Sequence, residues 1–125
     1  MKNATVKVLS DEDLKFAYAL RDLGVSRKVS YLIAYLANVD EASSKEIEKG
    51  TGLSSPGVSI AMHTLRDNNW VEENEVKKEN LKGRPMNIYA LSTPIDEIIK
   101  HYEDEKVQES EWAMEAIKKL KELSR

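Results

Sequence analysis

The 125-residue sequence predicts a mainly α-helical chain carrying one small β-hairpin and a long C-terminal helix. Three observations predict it. Apolar residues recur at helical spacing behind successive serine caps through residue 69, and two extended runs then flank a turn containing Gly83 and Pro85. After Pro94 neither glycine nor proline interrupts the chain to Arg125, so a final helix of about thirty residues, straight or bent, is expected there. The chain therefore divides into residues 1–93, holding the short helices and the hairpin, and residues 94–125, holding the last helix.

Ser10 and Asp13 form a capping box, with Leu14, Phe16 or Ala17, Leu20 and Leu23 as the apolar stripe and Gly24 as the stop. Ser26 caps a second helix whose stripe is Val29, Leu32, Ile33 and Leu36, with Tyr31 and Tyr35 partly beside it. Ser43 and Glu46 form a second capping box for a short helix that carries Ile47 and ends in Gly50, Thr51 and Gly52. Leu53 turns inward, Ser54 or Ser55 caps the next helix, and Pro56 sits at its first position, where a missing N–H costs nothing. That helix carries Val58, Ala61, Met62 and Leu65 inward. Residues 70–78 and 86–91 read as the strands of the hairpin, and Thr93 is expected to cap the last helix with Pro94 at its first position.

Composition removes several functions. With no cysteine there is no disulfide, thiolate nucleophile or thiolate metal site, and no run of apolar residues is long enough for a membrane span. The N-terminal M-K-N-A-T-V-K-V lacks the apolar run of a secretory signal, so a cytoplasmic location is expected. Net charge is −3, but residues 94–125 hold nine of the 22 acids and six of the 19 bases, leaving thirteen of each in residues 1–93. The acidity belongs to the last helix. No Gly-rich phosphate loop is present, and two histidines leave few candidates for a general base, so neither an enzyme nor a cofactor site is expected.

Helices joined by a tight turn and followed by a hairpin with a basic tip are the order of a winged helix-turn-helix. The helix after Ser54 turns Ser55, Pro56, Ser59, Ile60, His63, Thr64 and Arg66 outward, and these with Ser54 form a set expected to meet base edges and phosphates. The hairpin tip concentrates Lys77, Lys78, Lys82 and Arg84 against one acid, Glu79, and can lie along a phosphate backbone with Arg84 in a minor groove. Double-stranded DNA is the partner these features fit.

In the last helix, Ile95, Ile99, Tyr102, Ala113, Ala116, Leu120 and Leu123 alternate in spacings of three and four, the seam of a coiled coil interrupted by Lys106 and Glu109. A homodimer held by this helix is expected.

The text from Ala42 to Glu72 (A-S-S-K-E-I-E-K-G-T-G-L-S-S-P-G-V-S-I-A-M-H-T-L-R-D-N-N-W-V-E) and the wing ending G-R-P-M-N-I-Y-A-L-S from Gly83 resemble TrmB-type and MarR-type winged-helix regulators of archaea and bacteria. The likeness covers about residues 20–93. It implies a dimeric transcription factor placing one reading helix per subunit in successive major grooves. Ser55, Pro56, Ser59, Ile60 and His63 would then face bases or phosphates, and Lys82 and Arg84 would make the wing contact. Two departures stand out: Ile60 replaces a common arginine, and Asn69 with Trp70 replaces a glycine and a small aliphatic residue. Asparagine also accepts a left-handed backbone. Larger TrmB-type proteins add a sugar-sensing domain where this sequence has a helix, so sugar sensing is not carried over.

Blander readings stand beside these. Winged helices also serve as protein-docking modules, which suits the balanced charge of residues 1–93. His63 reads equally as a contact or as plain surface, and the tip lysines also serve to keep a hairpin edge unpaired. Glu97, His101 and Glu105 share a spacing of four that suits metal ligands, yet on an exposed helix this is ordinarily solvated surface. Trp112 and Met114 suit a subunit contact or a small effector pocket, with core or interface packing as the plainer reading. No effector can be named.

Overall fold

The computed structural model describes residues 7–77 and 85–124. In order the elements are α1 (Asp11–Asp22), α2 (Arg27–Leu36), β1 (Ala42–Ser43), α3 (Ser44–Thr51), α4 (Ser55–Asp67), β2 (Val71–Lys77), β3 (Pro85–Leu91) and α5 (Ile95–Leu123). Residues 1–93 and 94–125 form two compact units.

Each start signal works by supplying an acceptor to an orphan backbone N–H. Ser10 Oγ accepts from Asp13 N at 3.1 Å while Ser10 N donates to Asp13 Oδ2 at 2.9 Å, and Ser43 and Glu46 repeat the exchange at 3.2 and 2.9 Å. Ser26 Oγ accepts from Val29 N and Ser54 Oγ from Gly57 N. Because Ser54 is the cap, Pro56 occupies the second helical position of α4, not the first. The expected cap on α5 fails differently: Thr93 Oγ1 donates to Asn69 O at 3.3 Å, and Pro94 becomes an N-cap with no side-chain bond.

The core of the first unit is built around α2, which packs on α1, α3 and α4. Every residue from Val29 to Leu36 is buried, so Tyr31 and Tyr35 are core residues and not flanking ones. Tyr35 requires a glycine opposite it. A Cβ at Gly50 would collide with the Tyr35 ring and the Lys7 carbonyl, and Gly50 O also accepts from Leu9 N at 3.0 Å. From α1, Ala17 and Leu20 join the core whereas Leu23 is exposed. From α4 the inward set is Val58, Ala61, Met62 and Leu65, as their spacing requires.

Asp13 is a buried carboxylate with its full set of partners. Besides Ser10 N, Oδ2 meets Lys7 Nζ at 3.0 Å, and Oδ1 accepts from Asn38 Nδ2 at 2.9 Å, tying the start of α1 to the end of α2. Burial pushes the pKa up, but the Ser10 N–H and the Lys7 ammonium outweigh it and hold the carboxyl below its ordinary value.

The sheet is antiparallel with strand order β1-β3-β2. β2 and β3 are the expected hairpin, paired from Val71↔Leu91 to Lys77↔Pro85. The third strand is new relative to the sequence reading: Ala42 and Ser43 pair with Tyr89 and Ile88. Between α4 and β2, Asn69 adopts a φ of 59°, the left-handed turn expected of it, and Trp70 is buried with its N–H donated to Leu65 O.

The second unit is one uninterrupted 29-residue helix. Ile98 and Tyr102 are buried, and from Val107 to Ser124 every residue is exposed. Ion pairs Lys100–Asp104 and Lys106–Glu109 run along it, the latter at 2.9 Å.

Candidate nucleic-acid interface

The surface of interest is assembled by the turn between α3 and α4. Gly52 takes a φ of 78° where Glu48 O accepts its N–H, ending α3. Thr51 Oγ1 donates to Ile47 O and accepts from Leu53 N, which holds the chain tight as it swings into Leu53. Leu53 is buried and Ser54 opens α4. The inward face of α4 is spent on core packing, and its other face is left for solvent.

That face carries Ser55, Pro56, Ser59, Ile60, His63 and Arg66, all exposed, with Thr64 half-buried at its edge. Its first turn contains no acid, a property it shares with α2, whereas α1 opens with Asp11, Glu12 and Asp13, α3 has Glu46, and α5 has Asp96 and Glu97. The partial positive charge of a helix start is thus left uncompensated, which favours an anion there. Gly57 is buried at this turn, and a Cβ placed on it would lie at ordinary contact distance, 3.5 Å, from Lys28 Cε. Lys28 therefore stretches alongside the start of α4, and its side chain is exposed. Sequence reading missed it. Its position in α2 has no basic neighbours except Arg27, whose guanidinium lies over the Tyr31 ring at 4.7 Å.

The remaining residues of the site behave unequally. Ser54 spends its hydroxyl as an acceptor on Gly57 N, so its part is to shape the helix start. Arg66 Nε donates to Glu73 Oε1 on β2 at 3.1 Å and so is an engaged cation. Ile60 is 56% exposed, an apolar side chain in the middle of a polar face and suited to contact with a thymine methyl. The Lys77 side chain, Lys78, Lys82 and Arg84 lie outside the described residues. Among the described residues no three His, Asp or Glu side chains gather as metal ligands; His101 Nε2 stands 3.3 Å from Glu105 Oε2.

On α5, Ile99, Ala113, Ala116, Leu120 and Leu123 are exposed, Ile95 is half-buried, and Tyr102 is buried within the single chain. Tyr102 thus offers little free surface. Trp112 and Met114 are also exposed, so neither is core. No helix among the described residues is long and apolar enough to cross a membrane.

No family model matches the chain, and no curated protein matches it. Among solved structures, a possible transcriptional regulator from Methanosarcina mazei Go1 superposes with a TM-score of 0.55, covering 90% of this chain and 86% of its own, at 17% sequence identity. The likeness is one of fold. It agrees with the mainly helical architecture, small antiparallel sheet and long C-terminal helix expected of a winged-helix protein.

Proposed function

We propose that this protein is a winged-helix regulator of transcription that binds double-stranded DNA as a homodimer and acts by excluding other proteins from the bound site. The observation that carries the reading is the exposed, acid-free start of α4, where Ser55, Pro56, Ser59, Ile60 and His63 stand clear of the core and Lys28 runs alongside. A helix of about 12 Å diameter fits a major groove of about that width, and hydroxyls, an imidazole and an isoleucine can each meet a base edge or methyl there. The helix start and Lys28 would take phosphates, as would Lys82 and Arg84 of the wing. This arrangement gives the TrmB-like and MarR-like assignment its physical content, and the fold likeness to a possible regulator supports the same direction. Such a protein needs no catalytic group, and a cytoplasmic location follows from the partner.

The dimer rests on α5, whose distal turns expose Trp112, Ile117, Leu120 and Leu123 to solvent in the single chain. Two copies would bind a pseudo-palindrome with half-sites about one helical turn apart. Selection of bound sequences from a random duplex pool at moderate salt tests the whole reading. A palindromic motif is the expected result. Absence of any enrichment, together with no affinity for bulk duplex, would overturn it in favour of a protein-docking module.

A further inference from the structure

The seam of α5 has an internal symmetry that decides how two copies of it meet. Its nine positions run 95, 99, 102, 106, 109, 113, 116, 120 and 123, about four heptads, enough to sustain a coiled coil. When the helix is reversed about the point between Val107 and Gln108, the seam falls on itself with complementary residues: Ile95 on Leu120, Ile99 on Ala116, Tyr102 on Ala113, and Lys106 on Glu109. Large meets large at the ends, large faces small further in, and cation faces anion at the centre. In the parallel alternative each residue meets its own copy, setting Lys106 against Lys106 and Glu109 against Glu109, and stacking Ala113 and Ala116 on themselves where side chains should fill the seam.

Resting on the homodimer reading above, we infer that α5 pairs with a second copy of itself as an antiparallel coiled coil in this register, with two symmetric Lys106–Glu109 ion pairs at its centre. The exposure pattern agrees. Ile99 is 42% exposed and Leu120 65%, and Lys106 and Glu109 are both accessible beside one another, 2.9 Å apart within one helix. Tyr102 is the exception, since it is already buried in the single chain and offers little surface to the Ala113 opposite it. Trp112 and Ile117 flank the seam on its two sides and widen the apolar stripe.

The register also fixes a length. Ile95 opposite the second copy's Leu120 separates the two helix starts by 25 residues, about 38 Å along the axis at about 1.5 Å per residue. These starts are where the two 1–93 units are attached, and the separation is close to the roughly 34–36 Å between equivalent points one DNA turn apart. A parallel pair would bring the same two points to about 10 Å.

Because the chain has no cysteine, single cysteines introduced at exposed Gln108 and Lys118 can carry spin labels without competing sites. Pulsed dipolar distances on each full-length variant, with mass from light scattering on the same samples, test the register. The expected result is a dimer with about 20 Å between labels at 108 and more than about 30 Å at 118. A dimer with a short distance at 118, or long distances at both sites, would overturn the antiparallel register and leave the homodimer standing. A monomer at labelling concentrations would overturn both.

Discussion

Arg66 on α4 donates from Nε to Glu73 Oε1 on β2 at 3.1 Å, across the turn made by Asn69 and Trp70. An exposed cation toward the C-terminal end of α4 is therefore partly neutralised by an acid of β2. Glu73→Gln removes that competitor and should tighten duplex binding a few-fold, with the slope of log affinity against log salt steepening by up to about one ion. Fluorescence anisotropy across a salt series measures both, and unchanged affinity would place Arg66 away from phosphate.

Lys28 supplies the complementary case. Lys28→Ala should weaken binding to all duplexes alike and flatten the salt slope by about one ion, because a phosphate contact carries no sequence information. Since Lys28 is exposed, thermal stability should change by less than about 0.5 kcal/mol. A loss confined to one sequence would assign it a base instead.

His63 and Ile60 are exposed on α4 and, in the proposed complex, should set preference more than affinity. His63→Ala or Ile60→Ala should relax discrimination at one base pair per half-site, about 1–3 kcal/mol for a direct contact. Competition among single-base variants of a selected site reads this out.

How much of this was visible beforehand depends on the range of the interaction responsible. The caps at Ser10, Ser26 and Ser43 were legible because each bond closes within three residues, and so was the inward set on α4, which periodicity alone selects. Strand β1 was not. Two residues are too few for alternation to register, and their pairing with Tyr89 and Ile88 is set some 45 residues away. Thr93 looked like a cap, but its hydroxyl is claimed by Asn69 O, a partner 24 residues distant. Tyr31 and Tyr35 were placed beside the stripe because a phenol tolerates water; the bare Cα of Gly50 lets Tyr35 go fully inside. Within the interface the outward face of α4 was readable, while Lys28 emerged only when folding carried α2 to the start of α4.

Gly50 yields a stability prediction from the same contact. Gly50→Ala gains helix propensity of about 1 kcal/mol, yet the added methyl meets the Tyr35 ring and the Lys7 carbonyl, and the collision should dominate. A net loss of about 1–3 kcal/mol in urea unfolding is expected, and the double variant Gly50→Ala/Tyr35→Leu should show a smaller penalty for the alanine.

Asp13 predicts a pH dependence. Its carboxyl titrates lower in the folded chain than in the unfolded one, so it contributes stability above the ordinary aspartate pKa of about 3.9 and loses it as pH falls through the depressed folded value. Asp13→Asn should cost about 1–3 kcal/mol at neutral pH, through the lost Lys7 pairing and capping bond, and should flatten the acid limb of the unfolding curve. Parallel acid limbs in the two proteins would remove Asp13 from that role.

Ser43 belongs at once to two structures: its backbone pairs with Ile88 of the hairpin, and its hydroxyl and N–H close the box that begins α3. Displacement of β3 at Ile88 would therefore disturb the first turn of α3 as well. One serine thus anchors the edge of the sheet and the start of α3 to each other.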